Sequence, residues 1–198
     1  MLTRLGPLHW PLPRRASAVG AGLVLAAGLG AAAAPIASAA PAASPSPAVV
    51  IPYQLQNYGS YGLCLDTASG SNESIVNTCG YLADVPPTQA WSFEHISPSP
   101  YIQVEDLNGD CIGVEAASKA QGAEVVLTSC ALTTNREWDP VYVKTVDGTY
   151  MYEFVNRNSA LCLTDDNDSD APGHEVNQST CTGNDAMLWY VAGNGGSL

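Results

Sequence analysis

The chain has 198 residues, of which 19 are acidic, seven are basic and six are cysteines, and its formal net charge is −12. A surface with this excess of negative charge repels phosphate backbones and anionic lipid headgroups, so the composition argues against nucleic-acid and membrane-surface partners. The length suits one domain with a substantial core.

Residues 1–39 have the features of a secretory signal peptide. Arg4, Arg14 and Arg15 give a basic start, an apolar run rich in Ala and Gly follows, and Ala37-Ser38-Ala39 forms a small-residue cleavage site. An uncleaved membrane anchor is the alternative, but the run is only weakly apolar and a cleavage-type site follows it. We therefore predict a secreted, extracellular protein of bacterial type that has no membrane partner after signal cleavage.

Residues 40–51 follow as a Pro/Ala/Ser-rich linker, and residues 52–198 form the predicted domain. Cleavage of the signal would leave all 19 acidic residues and only four basic ones, so the net charge of the secreted protein becomes −15. The four basic residues are Lys119, Arg136, Lys144 and Arg157.

The predicted domain contains one pattern written three times. Each copy opens with a short alternating strand, continues with a cysteine, a turn-rich segment and a second cysteine, and ends on a lone Trp. The first cysteines are Cys64, Cys111 and Cys162, and the Trp residues are Trp91, Trp138 and Trp189. Both markers recur after 47 and then 51 residues, so they shift together, as an internal repeat requires.

The six cysteines are predicted to form three disulfides. An even number of cysteines in an exported protein favours disulfides over metal thiolates, and no Cys-x-x-Cys pair suggests zinc. The repeat then selects one pairing, in which each unit is closed internally by Cys64–Cys79, Cys111–Cys130 or Cys162–Cys181.

The elements of each repeat are read as short strands joined by turns, which predicts an all-β fold. Residues 114–126 are Ala-rich and locally favour a helix, but the matching segments of the other repeats are turns, so we predict a loop there. Three units of about 50 residues bury one face by joining around a threefold axis, which gives a β-trefoil. A three-bladed propeller is the alternative, but its blades need more residues for less shared core.

The Cys-apolar-Asp, Cys and Gln-x-Trp pattern resembles the ricin-type β-trefoil lectins and the carbohydrate-binding modules of secreted glycanases. The resemblance covers roughly residues 52–192. It implies one shallow sugar pocket in each repeat, built from an Asp, a stacking aromatic and an amide. These groups suit a pyranose, which offers hydroxyl donors around its rim and an apolar C–H face.

By this resemblance, repeat one supplies most of the predicted carbohydrate-binding residues. Asp66 stands where the family's Asp accepts hydrogen bonds from sugar hydroxyls, and Gln89 begins the Gln-x-Trp motif. Thr88 occupies the amide position and Asn77 the position of the stacking aromatic. Tyr81 could supply a ring from a neighbouring position.

Repeats two and three keep fewer of these residues. Repeat two has Gly113 at the Asp position and Arg136 in place of the Gln, but it keeps the amide as Asn135. Repeat three has Thr164 at the Asp position and places Asp165 one residue later. The position of the stacking aromatic is occupied by Asn77, Thr128 and Ser179 in the three repeats.

Several of these residues also have a purely structural interpretation. Asp66 could hydrogen bond backbone amides of the turn that it begins, and Gln89 could bond to backbone beneath the core. The three repeated Trp residues are expected in the core, since their position favours packing over exposed stacking.

The acidic turn 165–170 contains carboxylates at the first, third and fifth positions of a calcium-loop pattern that starts at Asp166. The sixth position is Ala171 and the twelfth is Asn177, where that pattern has Gly and Glu. We therefore predict a solvated acidic turn and no metal site, with weak calcium binding at this turn as the alternative.

The sequence favours a binding protein over an enzyme. The secreted part contains only His95 and His174, and neither lies in a recognisable catalytic motif. We expect a monomer without a cofactor that binds glycans, either galactosides or polysaccharides of the xylan or glucan type, mainly and weakly through repeat one. The alternative is a trefoil scaffold that binds a protein as an interaction or inhibitor module.

Overall fold

The computed structural model describes residues 52–68, 72–165, 171–193 and 198. The predicted signal peptide and linker lie outside the described residues, as do residues 166–170 of the acidic turn. The described residues contain no helix with the length and hydropathy needed to cross a membrane.

The described residues form 12 strands and four short 3₁₀ turns. The strands are β1 Gln54–Asn57, β2 Leu63–Thr67, β3 Ser74–Thr78, β4 Trp91–His95, β5 Ile102–Asp106, β6 Asp110–Val114, β7 Val125–Ser129, β8 Trp138–Val146, β9 Thr149–Asn156, β10 Cys162–Asp165, β11 His174–Ser179 and β12 Trp189–Ala192. The 3₁₀ turns are Pro87–Gln89, Glu115–Ala117, Thr134–Arg136 and Asp185–Met187. Each repeat therefore contributes four strands, and in each repeat a 3₁₀ turn precedes the Trp strand.

Six of the strands close into a barrel. Antiparallel pairings join β1 to β12, β12 to β9, β9 to β8, β8 to β5 and β5 to β4. The ring closes between the first and fourth strands, where Tyr53 and Trp91 exchange two backbone hydrogen bonds of 2.9 Å. A closed ring leaves no open sheet edge in the barrel.

The other six strands form three hairpins that cap the barrel: β2–β3, β6–β7 and β10–β11. Three equivalent backbone pairings join the hairpins to each other, namely Glu73 with Val126, Glu124 with Asn177, and Glu175 with Ile75. A six-stranded barrel with a threefold cap is the predicted β-trefoil.

The three repeated Trp residues fill equivalent positions in one shared core, as predicted. All three are fully buried. Each indole Nε1–H donates to the backbone carbonyl of the residue after the first cysteine of its repeat: Trp91 to Leu65 at 3.1 Å, Trp138 to Ile112 at 3.2 Å and Trp189 to Leu163 at 3.0 Å. The repeated sequence spacing therefore corresponds to a repeated contact.

The three predicted disulfides are confirmed as Cys64–Cys79, Cys111–Cys130 and Cys162–Cys181. Each one ties the second strand of a repeat to the residue or two beyond the third strand. The sulfurs of these six cysteines are therefore unavailable as thiolate ligands for a metal.

The Ala-rich segment 114–126 is almost entirely irregular between its flanking strands. It contains one 3₁₀ turn, Glu115–Ala117, in which Ala116 and Ala117 have left-handed φ values of 49° and 52°. An α-helix cannot continue through such residues, so the repeat context overrides local helix propensity here.

Candidate functional site

Gln89 is the centre of a hydrogen-bond network in repeat one. It ends the 3₁₀ turn before the Trp strand and is 2% exposed. Its Nε2 donates to Asp66 Oδ2 at 2.8 Å and to the Thr78 carbonyl at 2.9 Å. Its Oε1 accepts from the Gly80 backbone N–H at 2.8 Å and from Gln54 Nε2 at 3.1 Å. The Gln89 side chain thus bonds the backbone of its own repeat and also orients the Asp66 carboxylate.

Asp66 presents a carboxylate whose orientation is fixed. It lies on β2, is 5% exposed, and its Oδ2 receives the Gln89 amide. A buried carboxylate in a hydrogen-bonded position is expensive to move, because it would lose its partner while remaining desolvated. The structure therefore joins two of the predicted repeat-one residues, Asp66 and Gln89, by a direct hydrogen bond.

The other predicted residues of repeat one surround this pair less closely. Thr88 is half-buried in the 3₁₀ turn beside Gln89. Asn77 lies on β3 opposite Cys64, where its Oδ1 accepts the backbone N–H of Thr78 at 2.9 Å. Tyr81 is 88% exposed beyond the disulfide. The ring is accessible, and among the described residues Asp66 bonds to Gln89 and not to Tyr81.

Glu175 is a candidate site residue that the sequence reasoning missed. Asp66 pairs with Ile75, and Ile75 also pairs with Glu175 of repeat three. Paired residues of antiparallel strands share a face of the sheet, so both carboxylates flank Ile75 on one face. A signal was present, since a Glu precedes the second cysteine by six residues in every repeat, as Glu73, Glu124 and Glu175.

The glutamates at these equivalent positions interact across the cap. The pKa of Glu124 is raised above its ordinary value, first by the negative charge of Glu175, then by partial burial and by Glu115 and Glu73. This part of the surface is therefore strongly negative, and it favours neutral or cationic groups over anionic ones.

Repeat two replaces the carboxylate–amide pair with a glycine and an arginine that fit each other. A Cβ added at Gly113 would lie 2.7 Å from Arg136 Cγ and 3.2 Å from the Asn135 carbonyl oxygen. Arg136 occupies that space, and its Nη1 donates to the Ser129 carbonyl at 2.8 Å. The predicted amide residue, Asn135, donates from Nδ2 to the Val114 carbonyl at 3.0 Å.

A surface cleft of about 400 Å³ adjoins this pair. Its lining includes Asn72, Glu115, Thr128, Asn135 and Arg136, together with the strained Ala116 and Ala117. Left-handed φ values in non-glycine residues cost energy, and they concentrate at functional sites. Repeat two thus has a cleft beside its Arg136 although it lacks the Asp.

Repeat three places its predicted residue inside the protein. Asp165 is 1% exposed, its Oδ2 accepts the hydroxyl of Ser60, and its Oδ1 lies 3.8 Å from His174 Nδ1. Thr164, at the Asp position of this repeat, is also buried and donates to the backbone carbonyl of the next residue at 3.3 Å. The carboxylate of this repeat thus faces protein groups.

Comparison with protein families supports the resemblance stated above. The family described as "Ricin-type beta-trefoil lectin domain-like" matches residues 134–198, which contain all of repeat three and the last strand of repeat two. A comparison with curated proteins gave no match.

Solved structures of the same architecture extend over most of the described chain. The designed threefold-symmetric protein ThreeFoil is 27% identical with a TM-score of 0.61, and the match covers 72% of this chain and 98% of that one. A ricin B-like lectin from Macrolepiota procera, solved in complex with lactose, is 15% identical with a TM-score of 0.58, covering 70% and 92%. An exo-β-1,3-galactanase from Clostridium thermocellum is 19% identical with a TM-score of 0.60, covering 72% and 30%.

These comparisons confirm the ricin-type β-trefoil fold and the resemblance to its lectins. The match to the galactanase spans less than a third of that enzyme. The similarity is therefore to a ricin-type trefoil domain, and such a fold does not by itself establish a function.

Proposed function

We propose that the protein is a secreted carbohydrate-binding protein and that repeat one carries its principal glycan site. The observation that carries the proposal is the Asp66–Gln89 pair, in which a buried amide holds a carboxylate in one orientation at 2.8 Å. A carboxylate fixed in this way accepts sugar hydroxyls without first losing side-chain entropy.

The proposed site binds weakly because it lacks a stacking ring at the expected place. Asn77 supplies an amide there, so the apolar face of a pyranose gains less contact area than it would against an aromatic ring. Tyr81 is our candidate for part of that contact, since its ring is exposed two residues after Cys79 of the repeat-one disulfide. Thr88 and Glu175 supply further polar groups around Asp66.

A neutral galactoside is our first choice of ligand. The Macrolepiota procera lectin was solved with lactose, and a Polyporus squamosus lectin of 13% identity and TM-score 0.57 was solved with a sialylated galactose-containing epitope. The negative charge of this protein favours neutral glycans over acidic ones. Xylan and glucan oligosaccharides are the next ligands to test.

Secretion and a monomeric state complete the proposal. Three disulfides are typical of proteins that fold in an oxidising compartment, which agrees with the signal-like segment 1–39. In this proposal the second and third repeats contribute mainly to the core, with Asn135 as their remaining candidate contact, since Asp165 is buried. The acidic surface favours a glycan over a nucleic acid as the partner.

A glycan-array screen of the oxidised protein with and without calcium tests the proposal. The Asp66→Asn variant keeps an acceptor for Gln89 but removes the charge, so it should lose most of the glycan signal while remaining folded. Asp84→Asn is the matched control, because it makes the same charge change at an exposed position of the same repeat. A folded wild-type protein that binds no glycan would contradict the proposal and leave the protein-interaction scaffold as the better account.

A further inference from the structure

A second cleft, of about 180 Å³, lies on the side of the barrel between the β1–β2 connection and the tip of the β8–β9 hairpin. Three tyrosines line it: Tyr58, Tyr61 and Tyr190. Asp147, Thr149 and the buried Asn57 add polar groups to the same lining. This combination of rings and hydrogen-bonding groups differs from the pockets of the three repeats, which have no tyrosine in the stacking position.

Two rings of this tyrosine cleft, Tyr58 and Tyr190, are held by neighbouring groups. The Tyr190 hydroxyl donates to Gln56 Oε1, and burial raises the pKa of Tyr190, with a smaller contribution from Tyr61. Lys144 Nζ lies 4.8 Å from the centroid of the Tyr58 ring and 3.1 Å from Asp185 Oδ1. A cation over the ring and an ion pair beyond it restrict the side chain of Tyr58.

Tyr61 is the accessible member of the set. It is 88% exposed, so most of its surface is open to a ligand. Tyr190 is half-buried, so its ring lies deeper in the cleft than the exposed ring of Tyr61.

The opposite wall comes from a tight hairpin turn. Val146 pairs with Thr149, so Asp147 and Gly148 form a two-residue turn, and both have left-handed φ values, 49° and 83°. Two positive φ values identify the turn type that matches the twist of a hairpin. The turn therefore fixes the backbone that carries the Asp147 carboxylate and the Thr149 hydroxyl at the cleft.

We infer that the tyrosine cleft binds one neutral pyranose ring of a glycan, with Tyr61 stacking on its C–H face and Asp147 accepting hydrogen bonds from its hydroxyls. The inference rests on the proposed function, because it takes a carbohydrate as the ligand. An aromatic ring beside a carboxylate and a hydroxyl matches the two-faced chemistry of a sugar better than a purely apolar groove would. The stacking ring absent from the repeat pockets is thus supplied elsewhere on the barrel.

The hairpin offers a matched control for this site. Thr149 and Met151 line the cleft, and Tyr150 lies between them, so its side chain points to the other face of β9. Tyr150 is 45% exposed and contacts Tyr142 instead. Tyr150→Ala therefore removes a tyrosine ring from the same hairpin without altering the cleft lining.

Titration of the secreted, oxidised protein with lactose, xylohexaose and cellohexaose, by calorimetry and by amide NMR shifts, tests the inference. For at least one of these sugars, Tyr61→Ala should weaken binding by about tenfold and Asp147→Asn by a smaller factor, whereas Tyr150→Ala should change it less than about twofold. Asn tolerates left-handed backbone, so Asp147→Asn keeps the turn. Saturable shifts are expected at the amides of Tyr61, Gly148 and Thr149.

Two outcomes overturn the inference, and they are distinguishable. If Asp66→Asn abolishes binding while Tyr61→Ala binds every sugar as the wild type does, the tyrosine cleft is not a glycan site and the proposed function stands. If the folded wild type binds none of the sugars in this titration or in the glycan array, both the inference and the proposed function fail.

Discussion

Repeats one and two share the same Trp-to-carbonyl contact in the core, and they differ in the residue pair that adjoins this contact along the chain. The Trp91 and Trp138 indoles donate to equivalent carbonyls at 3.1 and 3.2 Å. Next to these contacts along the chain, repeat one has the Asp66–Gln89 pair, while repeat two has Gly113 packed against an arginine.

The difference teaches that the Trp positions and the residue pairs next to them are under different constraints. The Trp positions serve one close-packed core, so a change in any repeat would leave a cavity that the other two repeats cannot fill. The adjoining residue pair of each repeat only has to fill its own space and satisfy its own hydrogen bonds. Its two members therefore change together: the side chain lost at Gly113 makes room for the longer one at Arg136.

The largest expected effect is the loss of stability when a core Trp is removed. Trp91→Ala and Trp138→Ala should each lower the free energy of unfolding by about 3–5 kcal/mol, since each leaves a large cavity and a buried carbonyl without its indole donor. Denaturant unfolding of the oxidised variants measures both. Losses that differ by more than about 2 kcal/mol would contradict the equivalence of the two repeats in the core.

A medium effect is expected where the pairs differ. Gly113→Asp alone should destabilise the protein by about 1–3 kcal/mol, because its Cβ would overlap Arg136 Cγ at 2.7 Å. Arg136→Gln keeps the Cγ but removes the guanidinium that bonds the Ser129 carbonyl, so the shorter side chain is free to move its Cγ away from the new Cβ. The double variant should therefore be more stable than the sum of the single changes predicts, and a double-mutant cycle measures this coupling.

That double variant also sharpens the functional comparison. It recreates the residue types of the repeat-one pair beside the 400 Å³ cleft of repeat two. If the Asp–Gln pair is what makes repeat one a glycan site, the double variant should gain binding to the same sugars. A stable double variant with no additional binding would show that the pair alone is not sufficient.

The smallest expected effect is electrostatic. The raised pKa of Glu124 means that the folded protein holds this proton more tightly than the unfolded chain does, so stability falls as pH rises from about the ordinary value of 4.5 through the folded pKa. Glu175→Gln removes the largest cause and should slightly raise the unfolding midpoint at neutral pH. Glu94→Gln, an exposed change outside this group, is the control.

Salt distinguishes this explanation from a local packing effect. The glutamates are exposed, so the gain from Glu175→Gln should shrink in 1 M salt, where the Debye length is about 3 Å. A gain that is independent of both pH and salt would show that the substitution acts through packing and not through charge.

The fold could be predicted from the sequence because its determinants are local and repeated. The 47- and 51-residue spacings of both cysteines and Trp residues define three units, and the disulfide pairing follows from them. The same logic identified residues 114–126 as a loop against their helix propensity. Asp66 and Gln89 were found because they lie within recognisable motifs of one repeat.

The remaining features depend on contacts between distant parts of the chain. Whether Glu175 shares a face with Asp66 is decided by the β3–β11 pairing, which joins repeats one and three. The tyrosine cleft combines Tyr58 and Tyr61 with Tyr190, and only barrel closure through the β1–β12 ladder brings these together. The burial of Asp165 beneath Ser60 likewise reflects packing between repeats.

An amide NMR titration with lactose tests the central claim most directly, because the Gly80 N–H donates to Gln89 Oε1 and reports on the network that holds Asp66. The account predicts saturable shifts at the Gly80 and Gln89 amides in the wild type and in Asp84→Asn, and their loss in Asp66→Asn. Lactose binding that leaves both amides unmoved, or that persists unchanged in Asp66→Asn, would contradict a glycan site in repeat one.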